Sequence, residues 1–167
     1  MSEPVIRPAD SGDAAAMAAI FREGIEDRIA TFETEPSTAS EMAVIAGSDR
    51  PVLVAERDRE LLGWAKVAAY SDSHDYYATI GEATLYVARR ARRAGVGRAL
   101  LVALAQAAER DGYHKLIGKL FTTNQASIGL LRRCGWRDVG VHVRHGRLEG
   151  EWRDVLVAEL LLGEAAA

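Results

Sequence analysis

The sequence predicts a single mixed α/β domain, and three observations indicate this. The 167 residues are 49% hydrophobic and 27% charged, which is the composition of a globular domain with one sizeable core. Apolar runs with strand-like and helix-like spacing alternate in the order β-α-α-β-β-β-α-β-α-β-β. No internal repeat or low-complexity linker interrupts them. We therefore expect one domain over residues 1–163 and a frayed tail at 164–167.

The N-terminal part of the chain predicts five elements. In order, they are a strand at 5–7, helices at 13–26 and 38–47, and strands at 51–56 and 61–67. Asp10 or Ser11 is the expected cap of the first helix, and Ser37 or Thr38 is the expected cap of the second. The four charged residues 57–60 join the two strands that follow, which predicts an antiparallel hairpin.

The remainder of the chain predicts six further elements. They are a strand at 79–88, a helix at 96–111, a strand at 113–121, a helix at 124–134, and strands at 136–145 and 151–161. Gly112 and Gly135 end the two helices, as glycine commonly does just after a helix.

Charge and composition exclude several classes of function. A net charge of −3 argues against a nucleic-acid binder or a polybasic membrane binder. No uninterrupted apolar run is long enough to cross a membrane and the N-terminus does not read as a signal peptide, so we expect a cytoplasmic protein. Cys134 is the single cysteine and the four histidines lack metal-ligand spacing, so we expect no metal.

The most informative stretch runs from Arg89 to Leu101, between a predicted strand and a predicted helix. Gly95 and Gly97 at the start of the helix allow a sharp turn and a close approach of bare backbone to a ligand. The first amides of a helix are unpaired and lie at the positive end of its dipole. Five arginines between Arg89 and Arg98 add positive charge. The pattern predicts a binding site for a phosphate group of a small-molecule cofactor.

Two common phosphate-binding motifs are absent from this stretch. No Gly-Lys-Ser/Thr follows the glycines, and the three-glycine dinucleotide fingerprint is missing. Residues 92–97, Arg-Arg-Ala-Gly-Val-Gly, instead resemble the Gln/Arg-x-x-Gly-x-Gly/Ala signature of the GNAT superfamily of N-acetyltransferases. Residues 124–127, Asn-Gln-Ala-Ser, and the Gly135–Trp136 pair resemble a second segment of that superfamily, and the predicted element order matches its fold.

The resemblance implies a fold and a cosubstrate. The implied fold is a mixed, mostly antiparallel sheet whose central strands splay apart, flanked by about four helices. The implied cosubstrate is acetyl-CoA, with its pyrophosphate on the loop amides and its pantetheine arm along the preceding strand. The expected cofactor contacts are Leu85, Tyr86, Val87, Arg92, Arg93, Ala94, Gly95, Val96, Gly97, Arg98, Asn124 and Ser127.

Three further stretches resemble one particular group within the superfamily. Residues 24–36, 81–87 and 150–155 are similar to the phosphinothricin N-acetyltransferase group, including its arsinothricin-resistance branch. Members acetylate the α-amine of glutamate-like compounds such as phosphinothricin, methionine sulfone, methionine sulfoximine and arsinothricin. The resemblance therefore implies a detoxifying or resistance enzyme. It also implies a homodimer, for which the strands from Trp136 to Trp152 are the candidate interface.

The chemistry requires a base, because a protonated amine cannot attack a thioester. Glu82 matches the catalytic glutamate proposed for the group, and backbone N–H groups near residues 85–87 are the expected oxyanion donors. Many relatives place a tyrosine where this chain has Leu131, so the acid that protonates the thiolate is expected to be Tyr86 or a water molecule.

Four residues are predicted to contact the acceptor. Thr31, Phe32, His74 and Tyr77 are the expected substrate contacts, and His74 stands near the place where the group often carries a carboxylate-binding arginine. Phe32 has the alternative of packing into the core. Two other functions remain open: acetylation of a different amine, such as a polyamine or a peptide N-terminus, and CoA binding without catalysis.

Overall fold

The computed structural model of the chain describes residues 2–71 and 74–167. Within them, seven strands form one sheet in the order β1-β2-β3-β4-β5-β7-β6. The strands are β1 (Val5–Pro8), β2 (Val52–Arg57), β3 (Glu60–Ala69), β4 (Ile80–Val87), β5 (Lys115–Phe121), β6 (Arg137–Leu148) and β7 (Glu151–Leu161). The helices are α1 (Ala14–Glu26), α2 (Ala39–Ala46), α3 (Val96–Arg110) and α4 (Gln125–Arg133). Among the strands of the described residues, only β4 and β5 pair in parallel, so the predicted mixed, mostly antiparallel sheet is confirmed.

Reciprocal caps lie at or just before the start of both N-terminal helices. Asp10 caps a short 3-10 turn ahead of α1, and the Asp13 side chain accepts from the Asp10 backbone in return. Thr38 and Glu41 form the same arrangement at the start of α2. These caps satisfy amides that have no partner inside the helical turn that follows. Thr38 caps α2 as predicted, whereas Asp10 caps the 3-10 turn and not α1 itself, whose first turn follows Asp13 without a side-chain cap.

The β2–β3 hairpin is tighter than predicted. Its strands extend to Arg57 and Glu60, so the turn contains only Asp58 and Arg59 instead of four connecting residues. Both turn residues have positive φ, 51° and 66°. This is the left-handed conformation that matches the natural twist of a two-residue hairpin. The run of charged residues predicted the position of the turn correctly but not its length.

The sheet opens at its centre, between β4 and β5. In the described chain these strands pair only at Ile80–Lys115, Gly81–Leu116 and Glu82–Ile117. Beyond Glu82, β4 continues to Val87 without β5 beside it. The predicted splay of the central strands is therefore confirmed, and Glu82 stands at the point where the gap begins.

The two faces of β4 point to different layers of the molecule. Tyr86 packs against Phe21 of α1, whereas Leu85 reaches Gly97 of α3 on the other face. Because side chains alternate along a strand, Glu82 shares its face with Tyr86. No helix among the described residues is long and apolar enough to cross a membrane. Residues 164–167 lie in and after an exposed 3-10 turn, Gly163–Ala166.

Candidate functional site

A cavity of about 740 Å³ occupies the gap between β4 and β5. This volume lies within the roughly 300–1,000 Å³ typical of small-molecule sites. Its walls come from residues 82–86 of β4, 118–121 of β5, 30–33 of the loop after α1, and the start of α4. The splay thus converts a sheet interior into a site with charged and aromatic walls.

Glu82 lies on the wall of this cavity with a lysine on the neighbouring strand. Lys119 Nζ is 3.0 Å from Glu82 Oε2. The two side chains project from the same face because Glu82 is opposite Ile117 and Lys119 is two residues farther along β5. Lys119 therefore fixes the position of the carboxylate at the start of the gap.

Lys66 of β3 is a second cation on the same wall. It is opposite Thr84, two residues from Glu82, and it is half-buried. Burial lowers the pKa of Lys66, and the negative charge of Glu82 opposes this effect in part. Among the described residues, no hydrogen bond or ion pair reaches the Lys66 ammonium.

Tyr86 is held by aromatic packing. Its ring centroid lies 5.0 Å from that of Phe21 and 5.2 Å from that of Trp64. Gly24 allows this approach, since a Cβ there would lie 2.8 Å from the tyrosine ring. Burial raises the pKa of Tyr86, and hydrogen bonding with Thr31 opposes the rise only in part. Tyr86 is therefore a neutral phenol near pH 7, with the predicted contact Thr31 beside it.

Phe32 lies in the cavity wall and also packs against other apolar groups. Its ring centroid is 4.6 Å from that of Phe121, and a Cβ on Gly146 would lie 2.7 Å from it. The ring remains 36% exposed. Phe32 thus packs against apolar residues and also forms part of the cavity wall.

His74 and Tyr77 lie elsewhere. Both line a separate cavity of about 190 Å³, beside Tyr70 and Tyr113, and neither lines the large one. The 3-10 turn Asp75–Tyr77 keeps them at the start of β4, at the opposite end from the gap. The structure therefore does not bring these two predicted substrate contacts together with Glu82.

The loop before α3 presents free backbone amides. Gly95, the residue that caps α3, has φ 82°, and Arg93 has φ 61°. Within the described chain, the amides of residues 93–98 donate no hydrogen bond to backbone or side chains. The side chains of Arg93 and Arg98 are exposed and have no hydrogen-bond or ion-pair partner among the described residues. This is the arrangement that binds phosphate at a helix N-terminus.

The other three arginines of the cluster, Arg89, Arg90 and Arg92, form contacts within the protein. Arg89 and Arg92 both bind Asp27 at the end of α1, at 2.8 and 2.7 Å. Arg92 Nε also donates to the last carbonyl group of β4, at 3.1 Å. Arg90 forms an ion pair with Glu60 at 2.8 Å. These contacts fasten the loop to its surroundings, which leaves Arg93 and Arg98 as the cations available to a ligand.

The backbone of β4 beside the gap has polar groups with no strand partner among the described residues, although the carbonyl of Val87 accepts from Arg92. The N–H of Ala88 donates to the carbonyl of Leu62 at 2.9 Å, and an antiparallel ladder alternates with a period of two residues. The even-numbered residues of β4, including Tyr86, therefore pair with β3. Leu85 and Val87 turn their N–H and C=O groups to the gap. Of the three predicted strand contacts, Tyr86 contributes its side chain rather than its backbone.

The start of α4 forms the far side of the gap. Asn124 caps this helix by accepting from the Ser127 amide at 3.3 Å, and both residues line the cavity. Leu131, which replaces a tyrosine of many relatives, lines it as well. Trp136 is buried in the wall, and its Nε1 makes no hydrogen bond to the described residues.

Several wall residues were not predicted as site residues. Lys66 and Lys119 each interrupt an otherwise apolar strand, and such an isolated charge is the signal that could have identified them. His145 also lines the cavity, although its sequence context carries no such signal. No group of three or more potential metal ligands occurs in the described part of the chain.

Comparison with known proteins identifies the family. The model of the acetyltransferase (GNAT) family matches residues 17–136. The phosphinothricin N-acetyltransferase of Alcaligenes faecalis is 33% identical over 159 residues, which cover 92% of this chain and 80% of that protein. The L-methionine sulfoximine/L-methionine sulfone acetyltransferase of Pseudomonas paraeruginosa is 31% identical over 162 residues, 94% of each chain.

A solved structure shows the same architecture. The phosphinothricin acetyltransferase of Sinorhizobium meliloti, a GNAT protein in complex with acetyl-CoA, is 28% identical and superposes with a TM-score of 0.90. The match covers 98% of this chain and 91% of that one. With its splayed sheet, the free amides at the start of α3 and these similarities, the chain belongs to the GNAT family of acetyltransferases.

Proposed function

We propose that this enzyme transfers the acetyl group of acetyl-CoA to the α-amine of a small amino-acid-like acceptor. Phosphinothricin, methionine sulfone, methionine sulfoximine and arsinothricin are the acceptor type. The observation that carries the proposal is a carboxylate, Glu82, at the start of a 740 Å³ cavity between splayed strands. The names of the relatives support the same substrate class. We further propose a detoxifying role and a cytoplasmic location.

The described residues fit acetyl-CoA. The free amides of residues 93–98, with Arg93 and Arg98, suit the pyrophosphate. The gap-facing backbone groups of Leu85 and the N–H of Val87 suit the amides of the pantetheine arm, since they have no strand partner in the described chain. The buried Nε1 of Trp136, beside the same gap, has no hydrogen-bond partner among the described residues, and a polar ligand group would satisfy it.

Glu82 acts as the general base in this proposal. It takes a proton from the ammonium of the acceptor, directly or through a water molecule, and the nitrogen lone pair then attacks the thioester carbonyl. A C–N bond forms, the C–S bond breaks, and CoA leaves as a thiolate. Gap-facing N–H groups of β4 stabilise the negative oxygen that develops during the attack.

Tyr86 is the proposed acid that returns a proton to the thiolate. Its phenol lines the cavity and stays protonated near pH 7 because burial raises its pKa. Leu131 cannot donate a proton, so the acid has to come from another side chain or from water. The position of Tyr86 on the face of β4 that also carries Glu82 supports the assignment.

The test is acetyl-CoA turnover, followed as release of free thiol. We expect saturable turnover with methionine sulfone or phosphinothricin, and much less with a polyamine or a peptide N-terminus. Preference for one of those amines would favour the first alternative function. Binding of acetyl-CoA without turnover on any amine would favour a non-catalytic CoA-binding module and contradict the proposal.

We also propose that the protein is a homodimer that associates through β6. Val139, Val141 and Val143 of this edge strand are 51%, 49% and 71% exposed. Exposed apolar side chains on an edge strand are a liability unless a partner covers them. Trp136, at one end of the segment expected to form the interface, is instead buried in the cavity wall.

A further inference from the structure

We propose that Lys66 binds the α-carboxylate of the acceptor amino acid. This inference rests on the proposed function, because it concerns the acceptor end of the same cavity. Lys66 lies on the cavity wall, it is half-buried, and it neighbours the carboxylate that receives the proton of the amine. His74, the residue expected to replace a carboxylate-binding arginine, lies outside this cavity.

The charge of Lys66 suits it to bind a carboxylate. The sequence contains three lysines, and two of them form ion pairs: Lys115 with Glu159 and Lys119 with Glu82. No such partner reaches Lys66 among the described residues. A half-buried cation whose charge is offset only in part, by Glu82, and which no hydrogen bond or close ion pair reaches is unfavourable, and an anionic ligand in the cavity would remove that cost. An acceptor carboxylate supplies such an anion.

The position of Lys66 also suits it to bind the acceptor carboxylate. An α-amino acid carries its amine and its carboxylate on the same carbon atom, so the groups that receive them have to be neighbours. Lys66 is opposite Thr84, and Glu82 is its diagonal neighbour on the same face of the sheet. Diagonal neighbours have their Cβ atoms about 7–8 Å apart, which a lysine side chain spans easily. An amine at Glu82 thus places its carboxylate within reach of Lys66.

Lys119 is less suited to this role. Its ammonium already contacts Glu82 at 3.0 Å, so part of its charge is compensated. His145 and Glu33 also line the cavity, and Glu33 would repel a carboxylate. Lys66 is therefore the wall residue whose charge and freedom both match an anionic group.

The experiment compares the free acid and the primary amide of methionine sulfone as acceptors. These two compounds share the amine and the sulfone, and they differ only in the carboxylate. We expect Lys66→Met to raise the KM of the free acid about 10- to 100-fold, the usual effect of a lost charged hydrogen bond. The KM of the amide and the KM of acetyl-CoA should change less than about twofold, because neither compound brings a carboxylate to Lys66.

Two control variants accompany this measurement. Lys66→Arg keeps the positive charge and should keep the preference for the acid over the amide. Arg22→Met removes a cation from an exposed position on α1 and should change neither constant. Because the acid-to-amide ratio is taken within one preparation, partial unfolding of a variant does not affect it.

Three outcomes would contradict the inference. An equal loss on acid and amide in Lys66→Met would assign Lys66 a structural role and leave the proposed function intact. A loss on phosphinothricin but not on methionine sulfone would assign Lys66 to the phosphinate group instead. A wild-type enzyme that acetylates no amino acid would overturn the proposed function and the inference with it.

Discussion

At the scale of single residues, the position of Glu82 sets what the site is able to do. It is the last residue of β4 that pairs with β5, so its backbone is held on both sides while its side chain reaches the cavity. A residue one step later would point to the opposite face, and one step earlier is Gly81, whose Cβ would collide with Val67. The carboxylate is thus placed by strand pairing rather than by a flexible loop.

Glu82→Gln tests this role directly. Glutamine keeps the shape of the side chain but cannot accept the ammonium proton, so we expect kcat to fall about 10²- to 10⁴-fold. Acetyl-CoA affinity should stay within about twofold because the phosphate-binding loop is untouched. Steady-state kinetics and calorimetry measure the two quantities, with Glu109→Gln on the exposed face of α3 as the control. Unchanged kcat in Glu82→Gln would exclude the glutamate as the base.

At the scale of elements, α3 is the helix whose N-terminus we propose as the binding site for the pyrophosphate of acetyl-CoA. Its N-terminus directs unpaired amides outward, while Gly97 permits close packing, since a Cβ there would lie 2.9 Å from Leu130 of α4. Gly95 caps the helix with positive φ and has open space around its Cα. Gly97 therefore permits close packing against α4, whereas Gly95 leaves open space for the proposed ligand.

The two ends of α3 provide a matched experiment. Gly95 and Gly112 both have positive φ and open space where a Cβ would stand. Glutamate at either position should destabilise the fold by a similar amount, about 1–2 kcal/mol from backbone strain. Only Gly95→Glu should also weaken acetyl-CoA binding, by at least about tenfold, because it adds a negative charge beside the pyrophosphate.

Calorimetric titration with acetyl-CoA and urea unfolding separate these effects. Equal affinities of Gly95→Glu and Gly112→Glu would contradict a phosphate site at the start of α3. A loss of stability in Gly95→Glu alone would show that strain, and not the ligand, distinguishes the two ends.

The elements were more predictable from sequence than the site. Apolar spacing identified the helices and strands of the described chain, because all of them except the largely exposed β6 bury one face against the core. The position of His74 was not predictable, since the short 3-10 turn that carries it leaves no periodic signal. The role of Lys66 depends on which side chains face the gap, and that follows from the register of β3 against β4 rather than from local sequence.

At the scale of the whole molecule, the exposed valines of β6 are the observation on which the proposed homodimer rests. They lie on the outermost strand of the sheet, beyond β7, and a partner strand or sheet would bury them. We expect the protein to sediment at twice the 18.1 kDa mass of the chain. Burial of these valines against a second copy would stabilise the pair by the usual hydrophobic contribution of apolar area.

Val143→Asp should prevent the proposed dimer from forming, because a carboxylate among the exposed valines would be desolvated without a partner on association. Val44→Asp is the matched control: this valine is 77% exposed on α2, away from β6, and its replacement should leave the mass unchanged. Sedimentation equilibrium measures both. A wild-type monomer, or a dimer that tolerates Val143→Asp, would contradict association through β6. If the monomeric variant keeps its turnover, the cavity between β4 and β5 is complete within one chain.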